Sequence, residues 1–121
     1  MSPLPTCRRG EIWMLDWNPK RGSEQGGIRP GIIIQCDEGN LAAGARTTIL
    51  VPLTSQGRSY VFYVPVPVGP VTGLKLPSWA NCTQVFTVDK ARLKTRLGCA
   101  PPAILESIGG ALAATLGLAQ S

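Results

Sequence analysis

Apolar residues in this chain come in short runs closed by glycine or proline, a spacing that predicts short strands and tight turns. Residues 11–17 (EIWMLDW) are rich in apolar and aromatic side chains and stop at Asn18-Pro19. Residues 30–36 (PGIIIQC) read as a strand buried on both faces, and residues 47–53 (TTILVPL) as another, with Pro52 near its end. In 60–68 (YVFYVPVPV), Phe62, Val64, Val66 and Val68 share one face, while Pro65 and Pro67 fall on the other. Two missing amide donors predict a sheet edge there. Residues 79–88 (WANCTQVFTV) supply one or two further strands. From 101 to 118 the period changes. Ile104, Leu105, Ile108, Leu112 and Leu116 recur at helical spacing behind Pro101-Pro102, which suits a helix start. Gly109-Gly110 weaken that helix by roughly 1 kcal/mol each relative to alanine, so packing must hold it. The expected fold is mainly β: a small barrel or curled sheet of five or six strands with a C-terminal helix.

Composition narrows the chemistry. The 121 residues are expected to form a single domain, 1–121, with a modest core. A 44% hydrophobic fraction against 16% charged residues excludes a disordered chain. There is no histidine, which removes imidazole acid–base pairs, Ser-His-Asp and Cys-His nucleophile systems and most zinc-hydrolase sites. Twelve Lys and Arg against seven Asp and Glu leave a net charge of +5. That charge suits a polyanion or an acidic protein partner, and equally a protein that is merely basic. Cys7, Cys36, Cys82 and Cys99 lie far apart with no C-x-x-C pair, which argues against a thiolate metal site. No secretory h-region precedes them, and no apolar stretch is long enough to span a bilayer comfortably. The expectation is reduced thiols in a bacterial-type cytoplasm, with no membrane, metal or cofactor.

The most distinctive string is Arg21-Gly22-Ser23-Glu24-Gln25-Gly26-Gly27-Ile28-Arg29-Pro30. It follows Arg9-Gly10-Glu11-Ile12-Trp13 and precedes an isoleucine-rich strand ending Gln35-Cys36-Asp37. Downstream stand Leu53-Thr54-Ser55-Gln56 and Gln84-Val85-Phe86-Thr87-Val88-Asp89-Lys90-Ala91-Arg92-Leu93. Together, over residues 9–118, these resemble the MazF/PemK family of toxin endoribonucleases, the mRNA interferases of toxin–antitoxin pairs. The resemblance implies an SH3-like barrel that forms a homodimer and cuts single-stranded RNA at short sequences without a metal ion. It implies a cognate antitoxin, acidic and partly disordered, that occupies the RNA groove. It also implies a catalytic pair, Arg29 and Thr54. Ser23, Glu24, Gln25, Gly27, Ser55, Gln56 and Gln84 are the expected RNA contacts. Two other readings stay open: a toxin of the same fold that poisons DNA gyrase, like the CcdB relatives, and a catalytically inactive barrel that binds only RNA or antitoxin.

Strand pairing gives an independent check on the catalytic pair. If 30–36 and 47–53 run antiparallel, the start of the first faces the end of the second. The midpoint of 29 and 54 falls inside the turn 38–46 (EGNLAAGAR), so Arg29 and Thr54 should meet at one end of the sheet. Their types suit metal-free RNA cleavage, in which the ribose 2′-OH attacks the phosphorus and negative charge builds on the phosphoryl oxygens. A guanidinium can hold two of those oxygens in a planar fork, and a threonine hydroxyl can donate to another. Arginine is a poor resting base, so Arg29 is assigned mainly to transition-state stabilisation, with leaving-group protonation as a further role. Glu24, the nearest carboxylate in the loop, is one candidate for the base, which the sequence leaves open. Trp13, Trp17 and Trp79 are candidates for base stacking, with packing the expected job of at least two. Where family members often carry an acidic residue before the glutamine and a basic one two residues after it, this chain has Thr83 and Phe86. Base specificity and the local phosphate contacts should differ accordingly.

Overall fold

The computed structural model describes residues 3–17 and 27–118. Along the chain lie β1 (Glu11–Asp16), β2 (Ile28–Ile33), a one-turn helix α1 (Asp37–Asn40), β3 (Thr47–Thr54), β4 (Tyr63–Val66), β5 (Ser78–Asn81), β6 (Phe86–Asp89), β7 (Leu93–Cys99) and α2 (Pro102–Thr115). A 3-10 turn at Lys90–Arg92 joins β6 to β7. The strands form one antiparallel sheet in the order β4-β5-β3-β2-β1-β7, with β6 also paired to β3. The sequence expectation of a mainly β fold closed by a C-terminal helix therefore holds.

Details depart from expectation in ways the side chains explain. β7 (LKTRLGC) was not anticipated, because Lys94, Thr95 and Arg96 are exposed in succession and hide its alternation. It joins β1 through a ladder with two register shifts, the mark of bulges that bend an edge strand. The segment 79–88 resolves into two strands, β5 and β6, and the expected turn 38–46 contains the end of α1. β4 is shorter than its sequence run, but it sits at the predicted edge. Val64 and Val66 are buried while Pro65 faces out.

Cross-strand register sorts the two faces of the sheet. Ile12, Ile32 and Val51 are successive partners across β1, β2 and β3. With Leu53, Val64, Val66 and Ala80 they form the core that α2 closes through Ile108, Ala111 and Leu112. Full burial of each such aliphatic side chain is worth about 1.5–3 kcal/mol, which offsets the weakness that Gly109-Gly110 bring to α2. On the opposite face Trp13, Leu15, Ile33, Leu50 and Leu93 form a second cluster with Cys7. That second face carries the candidate site.

A buried polar knot fixes the β2–β3 connection. The Asn40 side chain donates to the Gln35 carbonyl (2.9 Å), and its Oδ1 accepts from the Thr48 hydroxyl (2.6 Å). The buried Lys90 ammonium donates to the Asn40 carbonyl (2.6 Å), tying the 3-10 turn to α1. The Arg9 backbone N–H donates to Asp37 (2.7 Å), and this bond above all holds the Asp37 carboxyl below its ordinary range. Satisfied in this way, the knot sets where β3 begins and hence its register against β2.

Candidate active site

β2 and β3 pair with Gly31 opposite Pro52, Ile32 opposite Val51 and Ile33 opposite Leu50. The same register carried two residues further sets Arg29 opposite Thr54, as the midpoint argument requires. Trp79 of β5 lies opposite Thr54, and Pro65 of β4 lies opposite Trp79. A single cross-strand row thus runs Arg29–Thr54–Trp79–Pro65 over four strands. Side chains of directly opposed residues share a face.

A fork in the sheet opens a cavity beside this row. On the side of β3 away from β2, Thr47–Leu50 pair with β6 and Leu53–Thr54 pair with β5. Val51 and Pro52 lie between the two partners, and Pro52 has no amide proton to offer a ladder. The cavity there measures about 490 Å3, with Arg29, Thr54, Tyr63, Asn81, Gln84 and Phe86 in its wall. Arg29 is the one charged residue among its described lining residues. An anion placed there meets a positive group and no described carboxylate.

Each of these side chains is held by local structure. The Thr54 Oγ1 accepts from the Gln56 backbone N–H (3.0 Å), a turn that fixes the hydroxyl while leaving its proton to be donated. Trp17 does three things at once. Its indole N–H donates to the Arg29 carbonyl (3.1 Å), its ring meets Phe86 edge-on at 5.2 Å, and it covers Gly31. Its backbone N–H donates to the Gly27 carbonyl (3.1 Å), which closes the base of the connection between β1 and β2. Gly27 has φ +86°, a left-handed conformation that favours glycine. The Asn81 Oδ1 accepts from both the Thr83 backbone N–H (3.1 Å) and the Thr83 hydroxyl (2.6 Å). This turn presents Gln84 to the cavity, so Thr83, a departure from the family pattern, has a structural task here.

The sequence-predicted residues divide as follows. Arg29, Thr54 and Gln84 come together in the cavity wall. Ser55 lines a neighbouring hollow of about 470 Å3 with Arg29, Met14, Leu74 and Leu76, and Gln56 contributes its backbone to the Thr54 turn. Gly27 stands at the foot of the loop, whereas Ser23, Glu24 and Gln25 lie outside the described residues. Trp13 packs in the core at 7% exposure, and Trp17 serves as cavity wall. Tyr63 and Asn81 were not anticipated. The Val/Pro alternation of β4 already put Tyr63 on the face of Pro65, whereas nothing in the strand pattern marked Asn81 for the cavity. Cys7 and Cys82 are buried, Cys36 and Cys99 exposed, and all four are free thiols.

Known proteins share this fold. The profile of the PemK-like, MazF-like toxins of type II toxin–antitoxin systems matches residues 8–116. The chain is 34% identical over 109 residues to Endoribonuclease MazF9 of Mycobacterium tuberculosis (strain ATCC 25618 / H37Rv), covering 87% of this chain and 92% of that protein. It is 36% identical over 114 residues to Endoribonuclease MazF of Staphylococcus saprophyticus subsp. saprophyticus, covering 92% of each. A solved endoribonuclease in complex with its cognate antitoxin, from a mycobacterial species, superposes with a TM-score of 0.77 at 25% identity. The match spans 95% of this chain and 99% of that one. With a family match over nearly its whole length, this chain belongs to the PemK-like, MazF-like toxins of type II toxin–antitoxin systems.

Proposed function

We propose that this toxin is an endoribonuclease that cuts single-stranded RNA at the cavity in the fork of β3, with Arg29 and Thr54 as its catalytic residues. The observation that carries the reading is that Arg29 and Thr54 line one cavity, on strands whose register, continued two residues, sets them opposite each other. The two sequence relatives named above support it, since both are called endoribonucleases.

In the proposed reaction the 2′-OH next to the scissile phosphate attacks phosphorus. The O2′–P bond forms, the P–O5′ bond breaks, and the products are a 2′,3′-cyclic phosphate and a 5′-OH end. The 2′-OH proton passes to a base, for which Glu24 is the candidate, and the leaving 5′ oxygen takes up a proton from the Arg29 guanidinium, which regains one from solvent. Arg29 binds the phosphoryl oxygens through its guanidinium fork, and the Thr54 hydroxyl, anchored by Gln56, donates one further hydrogen bond. Donors set in place before reaction stabilise charge as it develops. Loss of one costs roughly 3 kcal/mol, about two orders of magnitude in rate. Gln84, Ser55, Gln56, Gly27, Ser23 and Gln25 are proposed to contact the strand around the cut.

The same reading includes a homodimer, an acidic cognate antitoxin and a bacterial-type cytoplasmic setting. Leu76 is 63% exposed next to Met14, Leu74 and Leu97, in the hollow that also touches Arg29. A second protomer over this apolar surface would remove it from water and complete the groove. The +5 charge favours both RNA and an acidic inhibitor. Among the described residues no helix is long and apolar enough to cross a membrane.

The test is incubation of the purified protein with a long RNA in EDTA, followed by mapping of new 5′ ends. Cuts at one recurring short sequence, lost in Arg29→Ala and Thr54→Ala, support the reading. Failure to cut varied RNAs, together with inhibition of DNA gyrase, overturns it. Cleavage abolished by EDTA overturns the metal-free step.

A further inference from the structure

Beyond Thr54 the cross-strand row continues into a surface the catalytic reading does not use. Tyr63 lines the cavity of Arg29 and Thr54 and also an adjoining open hollow of about 700 Å3. Arg58, Tyr60, Val61, Pro65 and Trp79 are among the other residues that line the hollow. Its contents are unusual for a free surface. Tyr60 is 48% exposed, with its ring centroid 5.3 Å from that of Phe62 and 5.8 Å from that of Tyr63. The Arg58 guanidinium carbon sits 5.7 Å from the centre of the Tyr63 ring.

The loop that carries Arg58 and Tyr60 is held in place by a specific close approach. A Cβ on Gly57 would come within 2.1 Å of the Trp79 indole, so the backbone at this position lies directly against the ring and tolerates no side chain. Trp79 in turn stands opposite Thr54 in the β3–β5 ladder. The fold therefore fixes an aromatic ring and a cation one strand away from the catalytic hydroxyl, on the same face.

We propose that Tyr60 and Arg58, seated on Trp79 through Gly57, form a subsite for a nucleotide flanking the cleaved phosphate. The base stacks on Tyr60, and its phosphate is held by Arg58. The inference rests on the RNA-cleaving reading above and extends it to the substrate's flank. Continuity through Tyr63 gives the strand an unbroken path from the scissile phosphate. An exposed ring beside a cation suits a base and phosphate, because every base has a face to stack and every linkage has a charge to neutralise.

The test uses an oligonucleotide that spans the mapped cleavage sequence, made uncleavable by deoxyribose at the cut position. 2-Aminopurine is placed at each flanking position in turn. The wild-type protein should quench one flanking 2-aminopurine, and Tyr60→Ala should abolish that quenching and weaken binding roughly 5- to 150-fold. Tyr60→Phe should restore both. Arg58→Gln should flatten the slope of log affinity against log salt by about one unit. On a minimal substrate without the flanking nucleotides, Tyr60→Ala should cut as fast as wild type. Equal RNA affinity and quenching in Tyr60→Ala and wild type, with wild-type cleavage intact, overturns the subsite alone. Loss of antitoxin binding in Tyr60→Ala with RNA binding unchanged overturns it in favour of a protein contact. A wild-type protein that cuts no RNA overturns the catalytic reading, and the subsite falls with it.

Discussion

Gly31→Ala tests whether the Trp17 ring sets the position of Arg29. The added Cβ would lie 2.9 Å from the Trp17 Cζ2, 3.1 Å from the Leu15 Cδ2 and 3.2 Å from the Val51 carbonyl oxygen. Carbon atoms in ordinary contact stand about 3.5–4.0 Å apart, so the indole must retreat by roughly 0.6–1 Å. The Val51 oxygen belongs to the central strand and cannot yield as cheaply. Such a retreat stretches the 3.1 Å bond from the indole N–H to the Arg29 carbonyl beyond useful length. It also shifts the edge contact with Phe86. Overpacking of this kind costs about 1–3 kcal/mol, and the lost bond adds about 1 kcal/mol.

Urea denaturation should therefore show a lower midpoint with an unchanged m-value. RNA cleavage should lose roughly 10- to 100-fold in kcat with little change in KM, because misplacement of about 1 Å acts on the transition state. The double variant Gly31→Ala/Trp17→Phe decides the cause. The smaller ring lacks the obstructing atom, so the pair should be less destabilised than the sum of the singles by about 1 kcal/mol. A Gly31→Ala protein with the wild-type midpoint and full activity would refute the argument that Trp17 is wedged between Gly31 and Arg29. Strict additivity in the double variant would do the same.

Three further outcomes are expected. Arg29→Lys keeps the charge but loses the planar fork, so the initial rate of cleavage on the mapped RNA should fall about 100-fold. Burial pushes the Cys82 thiol up from 9.0 to about 11, so the folded state resists its ionisation. The sign follows: this contribution is intact below about pH 9 and fades as pH rises to 11, by about 2 to 3 kcal/mol. Wild type should lose that much more stability than Cys82→Ala across the interval, in urea titrations under reducing conditions. The Asp37 carboxyl is held below 3.8 chiefly by the Arg9 backbone N–H, so its contribution is present above the unfolded value and fades as pH falls through the folded one. Asp37→Asn should flatten the acid limb of a plot of urea midpoint against pH, and an unaltered limb would show that the bond contributes nothing to stability.

How far the sequence revealed this molecule depended on which interactions define each part. The β2–β3 register was legible because two strongly apolar runs flank one polar turn, and a symmetric turn leaves little choice of partners. The face of Tyr63 was legible for a similar reason, since Val64 and Val66 must be buried and Pro65 must not pair. β7 was not legible. Its exposed Lys94, Thr95 and Arg96 carry no inward signal, and it is a strand because β1 has a free edge for it to join. Nor was the seat of Trp17, which depends on the absence of a side chain at Gly31, a residue whose importance appears only when the neighbouring strand is in place.

The division of the sheet into two faces explains why the candidate site sits where it does. α2 covers one face and makes the core, so the residues there are chosen for volume: Ile12, Ile32, Val51, Leu53 and Ile108. The other face is only half covered. Ile33 and Leu50 pack at one end, while the row from Arg29 to Pro65, with Leu15 opposite Arg29, lies at the other. Pro52 keeps β5 and β6 from meeting along β3, which prevents the sheet from closing over that row. A proline in a central strand is usually a defect; here it holds open the cavity that Arg29 and Thr54 share. Substituting a residue with an amide proton at 52 would offer β3 one more ladder bond at this fork. The surface that would then close is the one on which the proposed reaction depends.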